Sequence, residues 1–505
     1  MAKYKHYDYC QSALIPVSLE DQLMPGTLEF AIHTLVETRM DTSIFDERYK
    51  NDETGRPAYD PKVLLKIVLF GYSRGLISSR KLERACRENV VFMALSCGQQ
   101  IDHSTIATFV SSMSDEILPL YRDVLLVCHE EGLLGGTHFS LDGCKLSSNA
   151  SRACSGTVSD LARKKEKLEK KVKGLLKEQM RRDKKEDEEE RGSSSGQRNR
   201  ERQIERLQRR ADRIEKFLKE NGPKIGKQGR ELKSNVTDNE SAMMVGIHGI
   251  IQGYNGQALV DSKHQVIIHG EVFGTGDDHD LVAPMLAGAK ENLEAMGPEG
   301  VNFTGKILSA DSNYHSPKNL SKCDEEKIDA YIPDKRFRRR DPSFGGGRRR
   351  ALRGVDRFTL KDFQYDGCQD QYICPKGKVL RLKVKAALEQ GVIYRRYGTE
   401  IEDCQGCELK VRCIRAKKGQ RKTLSIDVGY TPDNLSRTMA AKIDTEKGRR
   451  IYTRRMAIVE PVFANIRTHK SMNRFTLRGK IKVNVQWLFY GMIHNIGKIL
   501  RYGFT

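Results

Sequence analysis

Apolar side chains recur at helical spacing within residues 451–467. The steps between them are four and three, which is the period of a helix that buries one face. They are Tyr452, Met456, Val459, Phe463 and Ile466. Glu460 and Arg467 are seven residues apart, so the same helix places them nearly in line, two turns from each other. Taken alone, the pattern favours an ordinary amphipathic surface helix.

Two features of this predicted helix bear on its chemistry. Glu460 stands among basic residues, so its carboxylate could hold a metal ion against a polyanion. These basic residues are Arg449, Arg450, Arg454, Arg455 and Arg467. Pro461 follows Glu460 directly and has no backbone donor, so we expect the helix to kink there or a new helix to begin with Pro461.

The pattern of the first 135 residues predicts a mostly helical region. Asp60 followed by Pro61 is a suitable cap and first residue for a helix. Further helices are predicted at 79–86, 104–112 and 115–131. The turn at Asp102 is similar to that of a helix-turn-helix, which would place basic side chains against DNA phosphates. These are Arg74, Arg80, Lys81, Arg84 and Arg87. A helical bundle used for dimerisation or support explains the pattern equally well.

Two predicted strands each carry an aspartate. The run from His138 to Asn149 reads as a strand with Ser140, Asp142 and Cys144 on one face. Aspartate is uncommon in a buried strand, and a bound cation is one reason to place it there. The run that begins at Lys306 predicts a strand with Asp311 at its carboxyl end.

The segments around these strands predict a mixed α/β domain. Two apolar runs, 243–254 and 257–260, are separated by Asn255-Gly256, which is a strong hairpin signal. A third extended run follows at 265–273, and residues 278–296 have helical spacing. A short helix from Ser316 and a strand from Asp329 complete the set.

Residues 159–220 interrupt this domain with two charged helical segments. Apolar residues form one near-heptad seam in each segment, and a Gly/Ser-rich stretch at 191–196 separates the two. The seams consist of Leu161, Leu168, Val172 and Leu175, and of Ile204, Leu207, Ala211, Ile214 and Leu218. The pattern is typical of an antiparallel coiled-coil hairpin. Contact with DNA, contact with a second subunit and a solvated structural arm all remain possible uses for it.

Residues 335–445 combine a basic loop with a cluster of cysteines. Seven arginines surround three glycines between residues 336 and 350, which is too charged to pack a core. Backbone contact with nucleic acid is the favoured use, and a solvated tether is the alternative. Four cysteines fit a tetrahedral thiolate zinc site. They are Cys374, Cys404, Cys407 and Cys413, with Cys368 as the competing fourth ligand.

Length and charge narrow the class of protein. A chain of 505 residues is too long for one ordinary core, and about three domains are expected. A formal net charge of +21 favours a large anionic partner, with nucleic acid first. We find no run of about 18 apolar residues and no signal sequence, so we expect no membrane span and a reducing compartment. The twelve cysteines are then free thiols or metal ligands.

Two strand aspartates and a helical glutamate form the set of ligands that two-metal phosphoryl transfer requires. Hard cations take oxygen ligands, and one carboxylate must bridge two neighbouring ions. We expect Asp142 to bridge them, and Asp311 and Glu460 each to complete the shell of one ion.

The sequence resembles bacterial insertion-sequence transposases of the DDE class. Residues 140–145 and 310–314 are similar to their first two catalytic segments. The third segment resembles the Tyr-Arg-Glu-Lys signature of one large branch, and its matching residues are Tyr452, Arg455, Glu460 and Arg467. The spacing from Arg455 to Glu460 is one residue longer than in that signature, and Arg467 stands where it has lysine.

This resemblance implies the function and its partners. It implies cut-and-paste transposition of a mobile element, by hydrolysis at the element ends and 3′-OH strand transfer into target DNA. Two Mg²⁺ ions, for which Mn²⁺ can substitute, would act with Asp142, Asp311 and Glu460. The protein would bind double-stranded DNA as a homodimer, in the cytoplasm at the bacterial nucleoid. The alternatives are an inactive DNA-binding relative and a nuclease that cuts without joining.

The resemblance also implies an architecture. We expect an RNase H-like α/β catalytic domain, a mixed sheet with flanking helices, at 136–334 and 446–505. The other parts would be a helical DNA-binding or dimerisation domain at 1–135, the coiled-coil hairpin insertion at 159–220 and a zinc-knuckle insertion at 335–445. Expected DNA contacts are Tyr452, Arg455, Arg467, Arg338, Arg339, Arg340, Arg348, Arg349 and Arg350.

Overall fold

The chain forms two compact units. The computed structural model describes residues 17–49, 57–189, 194–226, 229–246, 249–297, 302–344, 357–389, 392–414, 419–430 and 434–503. The first unit comprises Met1–Asp278, Pro284–Asn302 and Met456–Thr505. The second unit comprises His279–Ala283 and Phe303–Arg455. No helix among the described residues is long and apolar enough to cross a lipid bilayer.

Helices dominate the first part of the chain, and strands become frequent after residue 138. The first six helices are α1 (Leu28–Thr38), α2 (Pro61–Ser73), α3 (Ser79–Glu88), α4 (Val90–Leu95), α5 (His103–Ser111) and α6 (Ile117–Glu130). Next come β1 (His138–Ser147), β2 (Ser155–Gly156), α7 (Val158–Glu189), α8 (Ser194–Glu220), β3 (Lys224–Ile225), β4 (Glu231–Leu232), β5 (Ser234–Asn235), β6 (Ala242–Gly246), β7 (Gly249–Asp261), β8 (Ile267–Phe273) and α9 (Val282–Glu294).

Short strands and helices then alternate before three longer helices end the chain. They are β9 (Ile307–Ala310), α10 (Pro317–Glu325), β10 (Asp329–Tyr331), α11 (Phe337–Arg340), β11 (Gln364–Asp366), β12 (Gln371–Ile373), β13 (Val379–Glu389), β14 (Val392–Gly398), α12 (Ile401–Cys404), α13 (Lys410–Cys413), β15 (Thr423–Tyr430), α14 (Leu435–Asp444), α15 (Glu446–Ala464) and α16 (Lys480–Tyr502). A π-helical turn, Asn465–His469, continues from α15.

The N-terminal region is helical, as predicted. The Asp60 side chain accepts a hydrogen bond from the Lys62 backbone N–H at 2.8 Å, with Pro61 as the first residue of α2. Asp102 caps α5 in the same way, through the N–H groups of Ser104 and Thr105. Because such caps satisfy the unpaired N–H groups of a first turn, they fix where these helices begin.

The first unit contains an antiparallel sheet centred on β7. This strand pairs with β1, β6 and β8, and its Ala258 lies opposite Asp142 of β1. The predicted hairpin turn at Asn255-Gly256 is wrong, because β7 runs through both residues. Gly256 instead makes room for a neighbour: a Cβ there would lie 3.0 Å from the Trp487 ring.

Helices α7 and α8 pack against each other as an antiparallel pair. Lys165, near the start of α7, forms an ion pair with Glu215, near the end of α8, at 3.3 Å. The predicted seam residues Val172 and Leu207 are buried. The prediction of two helices in this insertion is therefore confirmed.

Helix α16 forms the centre of the first unit. Its side chains from Val485 to Ile493 are buried almost without interruption. Asn495 holds it to β8, since its side chain bonds both the N–H and the carbonyl of Ile267 at 2.9 Å. Tyr121 of α6 donates to the same carbonyl at 2.6 Å.

The second unit contains a parallel strand pair and a separate sheet. Strands β9 and β10 are parallel, with Leu308 opposite Ala330. The other sheet is antiparallel in the order β11-β12-β13-β14-β15. Its buried cluster consists of Phe363, Leu380, Tyr397 and Leu424.

Candidate active site

Asp142 lies in the middle of β1, where burial decreases. Ser140 and Leu141 are both fully buried, so both faces of the strand are covered there, whereas Asp142 is half-buried. One carboxylate oxygen of Asp142 accepts a hydrogen bond from the Gly143 N–H at 2.8 Å. The strand and this bond together hold the carboxylate in place.

A buried polar layer lies beside Asp142. A Cβ at Gly143 would come within 2.0 Å of Gln257 Nε2, so the residue after Asp142 must lack a side chain. Gln257 and Asn255 both donate to the same oxygen of buried Asp278, at 3.1 and 2.6 Å. Sequence reasoning missed these three residues because it placed Asn255 in a turn. The sequence feature that could have revealed this layer is the pair of amide side chains, Asn255 and Gln257, within an otherwise apolar run.

Arg467 and Asp142 both act electrostatically on the Cys144 thiol. Burial raises the pKa of that thiol to about 12, the positive charge of Arg467 opposes the rise, and the negative charge of Asp142 adds to it. The Arg467 Nε is buried and, among the described residues, finds no hydrogen-bond partner. A buried guanidinium N–H without a partner is costly unless a ligand accepts from it.

Glu460 is exposed on α15, and the helix continues past it. The alternative in which a new helix begins at Pro461 is wrong, because α15 runs through Pro461 to Ala464. Proline has no N–H, so the Ala457 carbonyl four residues earlier loses its helical partner. The Gln265 side chain replaces that partner, donating to Ala457 O at 2.9 Å.

The buried stripe of α15 differs slightly from the predicted one. Val459, Phe463 and Ile466 are buried, as the spacing predicts. Met456 is 51% exposed, so its predicted place on that face is wrong. Buried Ile458 and Val462 show that the covered face is rotated towards their side of the helix.

Asp311 lies in the second unit, immediately after β9, as predicted. Its carboxylate caps a short helical turn by accepting from the Asn313 N–H at 2.6 Å. Burial raises the pKa of the Tyr452 hydroxyl, Arg455 opposes the rise and Asp311 adds to it. The Arg455 guanidinium carbon lies 5.8 Å from the centre of the Tyr452 ring. The structure thus brings together Asp311, Tyr452 and Arg455.

The predicted basic loop is described in part. Arg340 forms ion pairs with Asp334 and Asp444, which raise the pKa of its guanidinium. Arg338 is exposed, with its guanidinium carbon 5.6 Å from the Phe344 ring centre. The side chain of Arg339 and all of Arg348, Arg349 and Arg350 lie outside the described residues.

Four cysteines of the second unit line one small cavity of about 20 Å³. They are the predicted zinc ligands Cys374, Cys404, Cys407 and Cys413. Burial raises the pKa of the Cys413 thiol, Lys422 opposes the rise, and the other three cysteines add to it. Cys368 is exposed and does not line the cavity. Four cysteine sulfurs are the donors that a structural zinc site uses, although in the described part of the chain they are not arranged to hold an ion.

The three predicted catalytic acids are divided between the two units. Asp142 and Glu460 belong to the first unit, and Asp311 belongs to the second. Within the described ranges, no group of three or more His, Cys, Asp or Glu side chains is arranged to hold a metal ion. As donors, the three carboxylates fit hard divalent cations such as Mg²⁺.

Two family models match the chain. A helical N-terminal region with a mixed α/β part fits a DNA-transposing enzyme of the DDE class. The transposase DDE domain matches residues 373–500, which include Glu460, and a transposase domain (DUF772) matches residues 17–112. Both matches are to transposase domains, and they confirm the resemblance of the chain to insertion-sequence transposases of the DDE class. No curated protein matches the chain.

Proposed function

We propose that this transposase moves an insertion sequence by a cut-and-paste reaction. DNA strands would be hydrolysed at the ends of the element, and the freed 3′-OH would then attack target DNA. The observation that carries the proposal is the match of residues 373–500 to a transposase DDE domain, since that segment includes Glu460. Asp142 on β1 and Asp311 after β9 are the other two acids that the reaction requires.

In this proposal Asp142, Asp311 and Glu460 act together as the ligands of two Mg²⁺ ions, for which Mn²⁺ can substitute. When bound, such ions lower the pKa of the attacking water or hydroxyl and stabilise the departing 3′ oxygen. The chain's own contribution is to present the carboxylates. The backbone N–H of Gly143 donates a hydrogen bond to one carboxylate oxygen of Asp142, and that of Asn313 donates to one of Asp311. These bonds orient the two carboxylates.

The basic side chains around the acids would bind DNA phosphates. Arg467 supports this role best, because its buried Nε finds no acceptor among the described residues. Arg455 and Tyr452 would act beside Asp311, with which Tyr452 interacts electrostatically. The arginine loop would add further phosphate contacts through Arg338, Arg339, Arg340, Arg348, Arg349 and Arg350.

The finer architecture is part of the same proposal. The strands around β1 and β9 would form an RNase H-like catalytic domain at 136–334 and 446–505, and α7 and α8 a coiled-coil hairpin within it. Residues 1–135 would serve DNA binding or dimerisation, and 335–445 would hold a zinc knuckle. The protein would act as a homodimer at the nucleoid, where its DNA lies.

The test uses purified full-length protein, Mg²⁺ and a labelled DNA fragment that ends in the element's terminal inverted repeat. Products joined to target DNA support transposition. Cut products without joined ones support a metal-dependent nuclease, and bound but uncut DNA supports an inactive DNA-binding relative.

The site assignment is tested by three isosteric variants, Asp142→Asn, Asp311→Asn and Glu460→Gln. Each removes one anionic ligand, and we expect each to lower the cleavage rate by roughly a thousandfold. Glu446→Gln is the control, because Glu446 is an exposed glutamate at the start of the same helix, α15. The assignment is wrong if the three variants cleave at the rate of the control.

A further inference from the structure

A cavity of about 370 Å³ lies at the base of the hairpin formed by α7 and α8, within the first unit. Apolar side chains form part of its wall, and Leu161 is the most deeply buried of them. The residues that line it are Ala153, Cys154, Leu161, Lys164, Lys167, Leu168, Lys171, Arg210, Arg213, Ile214, Val236 and Thr237.

Among the residues that the structure describes, the cavity is lined by five cations and by no acidic residue. On α7 the cations recur at steps of three and four, so they form one stripe along the helix. On α8 the two arginines are three residues apart and share a face for the same reason. We call these five residues the basic stripe: Lys164, Lys167, Lys171, Arg210 and Arg213.

Several other basic residues of the hairpin are paired with acids. Arg163 pairs with Asp160 at 2.9 Å, and Glu215 pairs with both Lys165 and Lys219, at 3.3 and 3.0 Å. By contrast, no member of the basic stripe forms an ion pair with any residue that the structure describes. Lys164 donates to two backbone carbonyls, those of Ala153 and Ser155, at 3.0 and 2.7 Å.

The concentration of five positive charges around one cavity indicates an anionic ligand. Five like charges around one cavity repel one another, and a bound anion would remove that cost. At a helical rise of 1.5 Å per residue, Lys164 to Lys171 span about 10 Å. One DNA strand rises about 3.4 Å per nucleotide, so the stripe matches about three consecutive phosphates.

We propose that the basic stripe binds the sugar-phosphate backbone of DNA. The contact would anchor a DNA segment at the base of the hairpin, through residues separate from the carboxylates and from Arg467. The apolar wall would cover the sugar edge while the cations take the phosphates. The inference rests on the proposed function only in that DNA is the substrate.

The first experiment measures binding of a fluorescent DNA duplex to full-length protein as salt rises from about 50 to 200 mM. Divalent metal is left out, so cleavage plays no part. The test variant is Lys167→Gln/Lys171→Gln. Its control is Lys173→Gln/Lys177→Gln, which changes two exposed lysines with the same spacing on the same helix, outside the cavity.

We expect the test variant to bind more weakly. Its plot of log K against log salt should also be less steep, with the magnitude of the negative slope smaller by about 1 per lysine, hence by about 2. The control should keep the wild-type slope. Equal slopes for the two variants would overturn the proposal. A protein that binds through the stripe but never cuts DNA would leave this inference intact and refute the proposed function instead.

The second experiment needs no variant. Wild-type protein is treated with a lysine-acetylating reagent, with and without the duplex, and modified lysines are read by mass spectrometry. DNA should protect Lys167 and Lys171 more than Lys173 and Lys177. If ATP protects the first pair as well as DNA does at equal phosphate concentration, the ligand is a free nucleotide and the proposal is wrong.

Discussion

His494 shows how burial sets the ionisation of a single residue. It is 2% exposed in the middle of α16, and burial lowers the pKa of its imidazole to about 3. The hydrogen bond of its Nε2 with the Gln265 carbonyl at 2.8 Å opposes that shift, and the charges of Lys498 and Lys470 add to it. The folded protein therefore holds this ring neutral.

This ionisation makes the stability of the protein depend on pH. Between about pH 6.5 and 3 the unfolded chain binds a proton at this position and the folded chain does not. The free energy of unfolding therefore decreases as the pH decreases, by about 1.4 kcal/mol per pH unit from this residue. In urea unfolding at pH 6.5 and 5, we expect His494→Gln to lose that part of the pH dependence. His469→Gln changes an exposed histidine and should keep it; equal slopes in the two variants would contradict the prediction.

Single residues also show where the sequence is insufficient. Asn255-Gly256 has the local preference of a turn, yet β7 continues through both residues because it is paired on two sides. The Asn255 amide is bonded to Asp278, 23 residues later. Neither the pairing nor this bond can be derived from local propensity.

Among the elements, α15 is unusual because it keeps a proline in its interior. The Gln265 amide connects it to the turn between β7 and β8: its Nε2 donates to the Ala457 carbonyl, and its Oε1 accepts from Lys498 at 2.9 Å. Gln265 itself has a φ of 62°, which is uncommon for a side-chain-bearing residue. A tertiary contact thus replaces the missing helical hydrogen bond beside Glu460.

A double-mutant cycle tests this replacement. Gln265→Asn tolerates the positive φ but is too short to reach Ala457, and we expect it to lower the free energy of unfolding by about 1 kcal/mol. In the Pro461→Ala background the restored N–H can bond Ala457, so the same change should cost less, giving a coupling of roughly 0.5–1 kcal/mol. Lys498→Met with Pro461→Ala should show no coupling. Additive effects of Gln265→Asn and Pro461→Ala would refute the role of Gln265.

Short helices were the most predictable elements. The predicted helix at 79–86 is α3, Ser79–Glu88, and the one at 104–112 is α5, His103–Ser111. Apolar spacing in both helices and the Asp102 cap of α5 are local features, so the sequence contains the necessary information. The continuation of α15 through Pro461 was not predictable, because it depends on Gln265, 192 residues away from Ala457.

At the scale of the molecule, the predicted site residues belong to both units. In the first unit Asp142 and Arg467 each act on Cys144; in the second unit Asp311 and Arg455 act on Tyr452, and four cysteines line one cavity. Residue types and spacing were sufficient to nominate these residues. The buried amide layer beside Asp142 was not predictable, since it depends on how strands pair.

The cysteine cavity gives a prediction for metal content. Cys374 lies on one segment, and the other three lie about 30–40 residues later along the chain, so an ion there would cross-link the second unit. We expect purified protein to contain about one zinc ion per chain and to melt at lower temperature after chelation. Cys404→Ser and Cys407→Ser should lose zinc, whereas Cys368→Ser should retain it. Metal analysis that finds no zinc in the wild type, or loss of zinc in Cys368→Ser, would contradict the prediction.

The short ladder between β2 and β5 has an evolutionary consequence. Ser155 pairs with Asn235 and Gly156 with Ser234, so the chain leaves for α7 and returns from α8 at neighbouring positions. The ends of the insertion are already closed by this ladder, and lengthening a closed loop adds little conformational entropy cost. The arm can therefore be shortened, extended or recharged in descendants of this protein while the strand that bears Asp142 keeps its place.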